Sequence, residues 1–170
     1  MAKVLTELEP RSIVFVDSSI FTYFLLEDTR YFDWAKTFLE RINQGEIIGA
    51  INNIVFTETM FNFVKAKVMI EENIFPREFI KAAKRQPEII ARVDISPVLE
   101  LFNLPNLSIL DLSPESLEDI GKIHSLYGLL SNDAYHLLTM EKHGIKNIAT
   151  TDRDFERIEC LNIWKPYVIR

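Results

Sequence analysis

Four carboxylates in this sequence carry flanks and spacings that suit chemistry better than surface solvation. Asp17 ends the run Ser12 to Asp17 (SIVFVD) and is followed by Ser18 and Ser19; Glu58 stands in VFTETMFNF, Asp133 in LLSNDAYHLL and Asp152 in IATTDRDFERI. Taken singly, each has an ordinary explanation, because an acid in the first turn of a helix is stabilised by the helix dipole. Taken together they resist it. Two unit charges about 6 Å apart repel by roughly 3 kcal/mol at an effective dielectric near 20, and four carboxylates at one place make six such pairs. A cluster of that kind must be protonated, widely solvated or neutralised by a cation. Oxygen-only donors without cysteine or paired histidine suit Mg²⁺ or Mn²⁺, ions that activate water and clamp phosphates in phosphodiester cleavage.

Whether the four acids meet depends on the elements that carry them. Ser12 to Asp17 reads as a buried strand running into a helix capped by Ser18 or Ser19. Tyr31 to Asn43 has the apolar period of an amphipathic helix stopped at Gly45. Glu46 to Ile51 is a second strand, and Asn52, Asn53 and Thr57 offer caps for a helix that Glu58 opens. A basic helical stretch interrupted at Pro87 spans Phe75 to Arg92, and Ile95 to Asn106 is apolar and punctuated by proline. Leu107 to Leu112 reads as a third strand, with Ser113-Pro114-Glu115-Ser116 opening the next helix. Asn132 is a candidate cap for a helix ending at Gly144, and Lys146 to Thr151 is a fourth strand before a short helix from Asp152. Strands alternating with helices imply βαβ units: an α/β fold with a mainly parallel sheet covered on both faces. Ligands of such sheets bind outside the carboxyl ends of the strands, the edge at which all four acids would lie.

The 170 residues, 48% hydrophobic and 26% charged, suit one soluble domain over residues 1–170 that folds without staples. The longest stretch free of charge, Ile47 to Thr57, is too short and too polar to span a bilayer. The start MAKVLTELEPR has acids where a secretion signal needs an apolar core, and the single Cys160 offers no disulfide or cysteine-rich zinc site; a reducing cytoplasm is the expected location. The net charge of −6 disfavours indiscriminate coating of nucleic acid. Locally the balance inverts: between Lys65 and Arg92 seven basic residues face four acids. A solvated helix face is the ordinary reading, and an RNA clamp through Lys65, Lys67, Lys81, Lys84 and Arg85 is the functional one. Phe56, Phe61, Phe63, Phe75 and Phe79 suit core or dimer packing more than base stacking, and His136 is spaced to share a helix face with Asp133.

The motifs around Asp17, Glu58, Asp133 and Asp152 together resemble a PIN domain, in particular the VapC-type toxin ribonucleases of type II toxin–antitoxin pairs. The resemblance runs from about Ile13 to Trp164, and its most specific part is the Asp-Ala helix followed by Gly-Ile, a strand and Thr-Thr-Asp-Arg-Asp-Phe. It implies a three-layer α/β/α sandwich, a Mg²⁺- or Mn²⁺-dependent endoribonuclease, an RNA substrate, a cognate antitoxin and a homodimer. By position, Asp17, Glu58, Asp133 and Asp152 match the four acids of the family site, with Asp17, Asp133 and Asp152 as metal ligands. Ser19 and Thr150 match the hydroxyl positions around it, and Asp154 a supporting second acid. The segment between Glu58 and Asp133 is longer than in compact members, which places a helical elaboration around residues 71–107. Competing readings are a PIN nuclease of RNA processing that is not a toxin, and a catalytically silent PIN module that binds RNA or scaffolds a partner. A phosphoacceptor receiver domain would need an acidic pair beside the first strand, and a haloacid-dehalogenase-type phosphatase an Asp where Ser19 stands.

Overall fold

The structure, a computed structural model, describes residues 3–4, 8–113 and 117–166, with the side chains of 3, 4 and 117 left aside. Six strands form one sheet: β1 (Lys3–Val4), β2 (Ile13–Val16), β3 (Ile48–Ile51), β4 (Leu107–Ile109), β5 (Asn147–Ala149) and β6 (Asn162–Lys165). Their order is β1-β6-β5-β2-β3-β4 and every pairing is parallel. Val14, Phe15 and Val16 of β2 are fully buried, with no in-out alternation. That is what a central strand covered on both faces requires.

The helices are α1 (Ser18–Leu25), α2 (Phe32–Asn43), α3 (Asn53–Glu71), α4 (Phe79–Arg85), α5 (Glu88–Ala91), α6 (Ser96–Phe102), α7 (Leu117–Tyr127) and α8 (Ser131–Lys142), with 3-10 turns at Pro76–Glu78 and Asp154–Arg157. Chain order steps from β2 through β3 to β4, then returns across the sheet to β5 and β6. With right-handed crossovers, opposite stepping directions put α1 to α6 on one face and α7 and α8 on the other. The packing agrees, since α1 rests on α2, α3 and α6 while α7 rests on α8. The expected three-layer architecture is therefore present. The reversal of stepping between β2 and β5 makes their carboxyl ends the switch point where such sheets bind ligands. Among the described residues no helix is long and apolar enough to cross a membrane.

The four expected strands are all found, each shorter by one to three residues at one or both ends, where the chain leaves the ladder for a turn or helix. β1 and β6 were not foreseen. β6 carries only Ile163 and Trp164 as apolar residues, and its place is fixed by pairing with β5, where Ile148 meets Ile163 and Ala149 meets Trp164. The expected start of α7 at residues 113–116 falls mostly outside the described residues. A second small core, Val64, Val68, Phe79, Ala83 and Ile89, joins the far half of α3 to α4 and α5. The basic stretch is thus a helical hairpin anchored beside the sheet.

Candidate functional site

The carboxyl ends of β2, β3 and β5 stand level, because Val16 pairs with Ala149 and Phe15 with Ala50. Asp17 follows β2 directly, and its N–H donates to the Ala149 carbonyl at 3.0 Å, which ties the turn to β5. It occupies the cap position of α1 without capping through its side chain. Its Oδ2 instead accepts from the Ser19 hydroxyl at 2.6 Å and the Thr150 hydroxyl at 2.9 Å. Neither Ser18 nor Ser19 caps α1 as the sequence suggested; the Ser19 hydroxyl is spent on Asp17. Asp17 is 8% exposed, so these neutral donors replace the water it has lost.

Thr150 couples two acids. Its buried Oγ1 donates to Asp17 and accepts from the Asp152 N–H at 2.9 Å. Asp152 Oδ1 in turn accepts from the Asp154 N–H at 2.8 Å, so the loop after β5 is folded around its own first carboxylate. Asp154 opens the following 3-10 turn and forms an ion pair with Arg157. The Arg157 guanidinium also donates to the carbonyls of Tyr127 at 3.2 Å and Gly128 at 3.3 Å, lashing this loop to the segment that leads into α8. The positive φ of Gly128, 63°, shapes the turn at that point.

Glu58 lies in the second turn of α3, not at its opening, beyond the reach of the helix dipole. Asn132, expected as a helix cap, sits inside α8, and its amide donates to Glu58 Oε1 at 2.6 Å. The other oxygen, Oε2, is 3.5 Å from Nε2 of His136. Burial raises the Glu58 pKa, but the His136 and Asn132 donors outweigh it and hold the carboxyl below its ordinary value. Asp133, in the first turn of α8, has the opposite balance. Burial, the neighbouring Asp152 charge and smaller contributions from Asp17 and Glu58 outweigh His136 and raise its pKa to about 6.

The four acids therefore do meet, on a cavity of about 620 Å³ that Tyr23, Asn62, Phe61 and Thr151 also line. Donor atoms of Asp17, Glu58 and His136 lie within 4.8 Å of one another, as do those of Asp133, Asp152 and Asp154. Two such groups, one of them all carboxylate and each with two acids on the cavity lining, fit a hard divalent cation. The oxygen-rich donor set, together with an Asp133 that resists ionisation in the protein alone, is the pattern a cation would relieve. Tyr23 closes one wall with its hydroxyl 2.9 Å from Thr151 Oγ1 and its ring 4.6 Å from that of Tyr31. Asn52, which caps α3 as expected, and Asn132 carried only a cap signal in the sequence, and Tyr23 and Arg157 none; their other bonds are made between elements far apart in the chain.

Of the basic residues, Lys65 and Lys67 lie on α3, over the rings of Phe61 and Phe63 at 5.9 and 5.4 Å, and Lys81, Lys84 and Arg85 are exposed on α4. Phe61, 47% exposed, lines both the acidic cavity and an apolar groove of about 350 Å³ against α4, so the two surfaces adjoin. Phe63 and Phe79 are buried, Phe56 packs edge-on against Phe102, and Phe75 is exposed. Cys160 is exposed, and no disulfide or cluster among the described residues involves it.

A family model for the PIN domain matches residues 14–160. Ribonuclease VapC2 of Methanocaldococcus jannaschii is 33% identical over 150 residues, 88% of this chain and 91% of that protein. Ribonuclease VapC6 of the same organism is 30% identical over 154 residues, 91% of this chain and 97% of that protein. A chain of a toxin-antitoxin complex from Klebsiella pneumoniae superposes with a TM-score of 0.53 at 21% identity, covering 92% of this chain and 99% of that one, a likeness of fold.

The raised Asp133 pKa has a consequence for stability. The folded state holds this proton more tightly than the unfolded chain, whose carboxyl titrates near 3.8, so stability falls as pH rises from about 4 to about 6. The full cost is present above that window. Asp133→Asn should therefore raise the urea midpoint of metal-free protein at pH 8, and the gain should vanish at pH 3.5. An equal gain at both pH values would show that charge is not its cause.

Proposed function

The chain belongs to the PIN-domain family, and on that footing we propose that it is a metal-dependent endoribonuclease, the toxin of a toxin–antitoxin pair. Two relatives named as ribonucleases support the reaction, and the fold neighbour from a toxin-antitoxin complex supports an antitoxin partner. The observation that carries the reading is the convergence of Asp17, Glu58, Asp133 and Asp152 on one cavity at the switch point of the sheet. The nuclease is one domain over residues 1–170, with the α4 and α5 hairpin as an elaboration, and it works in the cytoplasm.

Asp17, Asp133 and Asp152 would hold a Mg²⁺ or Mn²⁺ ion. When bound, that ion supplies Lewis acidity that eases loss of a proton from water and offsets the charge of a phosphodiester. The rest is done by the chain. Ser19 and Thr150 fix one oxygen of Asp17, so the carboxylate presents itself without searching rotamers. Thr150 and the Asp154 N–H set the position of Asp152, and Arg157 engages one oxygen of the Asp154 carboxylate. Glu58, kept ionised by Asn132 and His136, is placed to accept a proton from an attacking water. The half-buried Lys65 and exposed Lys67 of α3 and the exposed cations of α4 offset the phosphates that flank the cleaved bond, which an acidic pocket alone would repel. The exposed Met60, Phe61 and Ile80 along the apolar groove support a homodimer.

Purified protein should cleave RNA in Mg²⁺ or Mn²⁺ and lose that activity in excess chelator. Asp17→Asn should lower the rate by well over 100-fold while the far-UV spectrum is retained. Cleavage at full rate with the metal stripped would end this reading. Between the two acids of the last loop, Asp154→Asn should cost about 10- to 100-fold, the range for a group that orients a ligand, and Asp152→Asn more. Reversal of that order in Mn²⁺ titrations would exchange their roles. Replacing Lys81, Lys84 and Arg85 by Gln should lower the slope of log binding constant against log salt by about 2, the value for three lost single-strand phosphate contacts. An unchanged slope would place the RNA elsewhere.

A further inference from the structure

His136 is the most deeply buried titratable side chain of the pocket region among the described residues, at 1% exposure, and its Nε2 makes no hydrogen bond of good geometry among them. Its place on α8, one turn after Asp133, admits two explanations. The ring could lend a lone pair on Nε2 to the cation that the neighbouring acids would hold. Alternatively, it carries hydrogen on Nε2 and points it at Glu58. The hydrogen bonds on the far side of the ring decide between them.

Asn52 caps α3, and its Oδ1 accepts from the Val55 N–H at 3.2 Å. That contact fixes which way round the amide lies. Its Nδ2 therefore faces the two remaining neighbours, Thr139 Oγ1 at 3.0 Å and His136 Nδ1 at 3.1 Å. The Thr139 hydroxyl gives its own hydrogen to the Tyr135 carbonyl at 2.8 Å, so toward Asn52 it can only accept. One Asn52 hydrogen goes to Thr139 and the other to His136. An amide nitrogen has no lone pair to offer, so Nδ1 of His136 must be the acceptor, and a hydrogen on Nδ1 would collide with the Asn52 hydrogen. The ring's hydrogen is left on Nε2, 3.5 Å from Glu58 Oε2. The Phe15 ring, its centroid 5.3 Å from that of His136, braces the imidazole from the sheet side.

We propose that Asn52, Thr139 and His136 form a buried relay that presents a fixed Nε2–H to Glu58, making His136 a positioning residue for that carboxylate and excluding it from the metal's ligands. The relay starts at a helix cap, so the same amide that begins α3 also sets the tautomer on α8. Asn132 takes Oε1 and His136 faces Oε2, so Glu58 is approached by a donor at each oxygen, both from α8. The orphaned Nε2–H is a buried donor whose nearest acceptor is this carboxylate, and a short inward movement of Glu58 would complete the bond. The functional part of this inference rests on the nuclease reading; the tautomer does not.

The test is nitrogen NMR of the full chain labelled at histidine, without added metal, with the three histidines distinguished by the loss of one signal set in His136→Gln. Nε2 of His136 should show a pyrrole-type shift and Nδ1 a pyridine-type shift. Asn52→Asp, which puts an acceptor where the amide donated, should leave hydrogen on Nδ1, and Glu58→Gln should move the Nε2 signal. In cleavage assays His136→Leu should lose about 10- to 100-fold, the cost of removing a group that orients a ligand, and His136→Gln, which restores an amide hydrogen, should recover about tenfold of that. A pyridine-type Nε2 in the unaltered chain, or loss of its hydrogen when Mg²⁺ is added, would overturn the relay. The correct tautomer with no effect of His136→Leu on cleavage would overturn its role. If the unaltered chain cleaves no RNA, the nuclease reading fails while the spectra still decide the relay.

Discussion

Mutual repulsion among four carboxylates gathered at one end of a sheet is the constraint that the rest of this structure answers. Asp17, Glu58, Asp133 and Asp152 share one cavity, and Asp17 is almost wholly out of water. Bringing such charges together opposes folding. The chain meets this in different ways at different acids. Asp17 and Glu58 receive neutral donors, from Ser19, Thr150 and Asn132, with His136 facing Glu58. Among the described residues Asp133 receives none of comparable weight, and its pKa rises to about 6. The asymmetry leaves the site short of positive charge at neutral pH, the condition in which a divalent cation is held.

Neutral donors suit this task better than cations. A lysine inside the cavity would satisfy the acids permanently and compete with any ion that entered. Hydroxyls and amides orient the carboxylates without cancelling their charge. Arg157 is turned to Asp154 and to the carbonyls of Tyr127 and Gly128, so it secures the loop beside the cavity. The cations that would meet phosphate sit outside, on α3 and α4. Separation of the acidic centre from its basic flank lets both signs of charge persist within one small domain.

The α4 and α5 hairpin gives that flank a rigid footing. Its own core with α3, built on Val68 and Phe79, is separate from the core beneath the sheet. Phe61 stands at the border of the acidic cavity and the apolar groove. A partner lying in the groove would therefore be sensed at the mouth of the site through a single side chain.

Much of this was legible in the sequence because it is local. The run SIVFVD shows an interior parallel strand by its unbroken apolar character, and strands alternating with amphipathic helices imply the sandwich. In such a sheet a residue that follows a strand lies at the carboxyl edge whatever the strand order, so Asp17 and Asp152 share that edge by the alternation alone; that they meet depends on β2 lying beside β5. The acids on helices were less determined. Glu58 reaches the cavity from the second turn of α3, a position that the strand order alone does not place. β6 was invisible because two apolar residues specify no strand without β5 beside them. Asn132 and His136 were ambiguous because hydrogen-bond direction belongs to pairs of groups, and the partners, Glu58 and Asn52, are more than 70 residues away. Residue type and period decided which elements form and which acids they carry; the hydrogen bonds between the start of α3 and α8 decided which donors Glu58 and His136 meet, since those bonds are made only once the sheet has set the distance between the two helices.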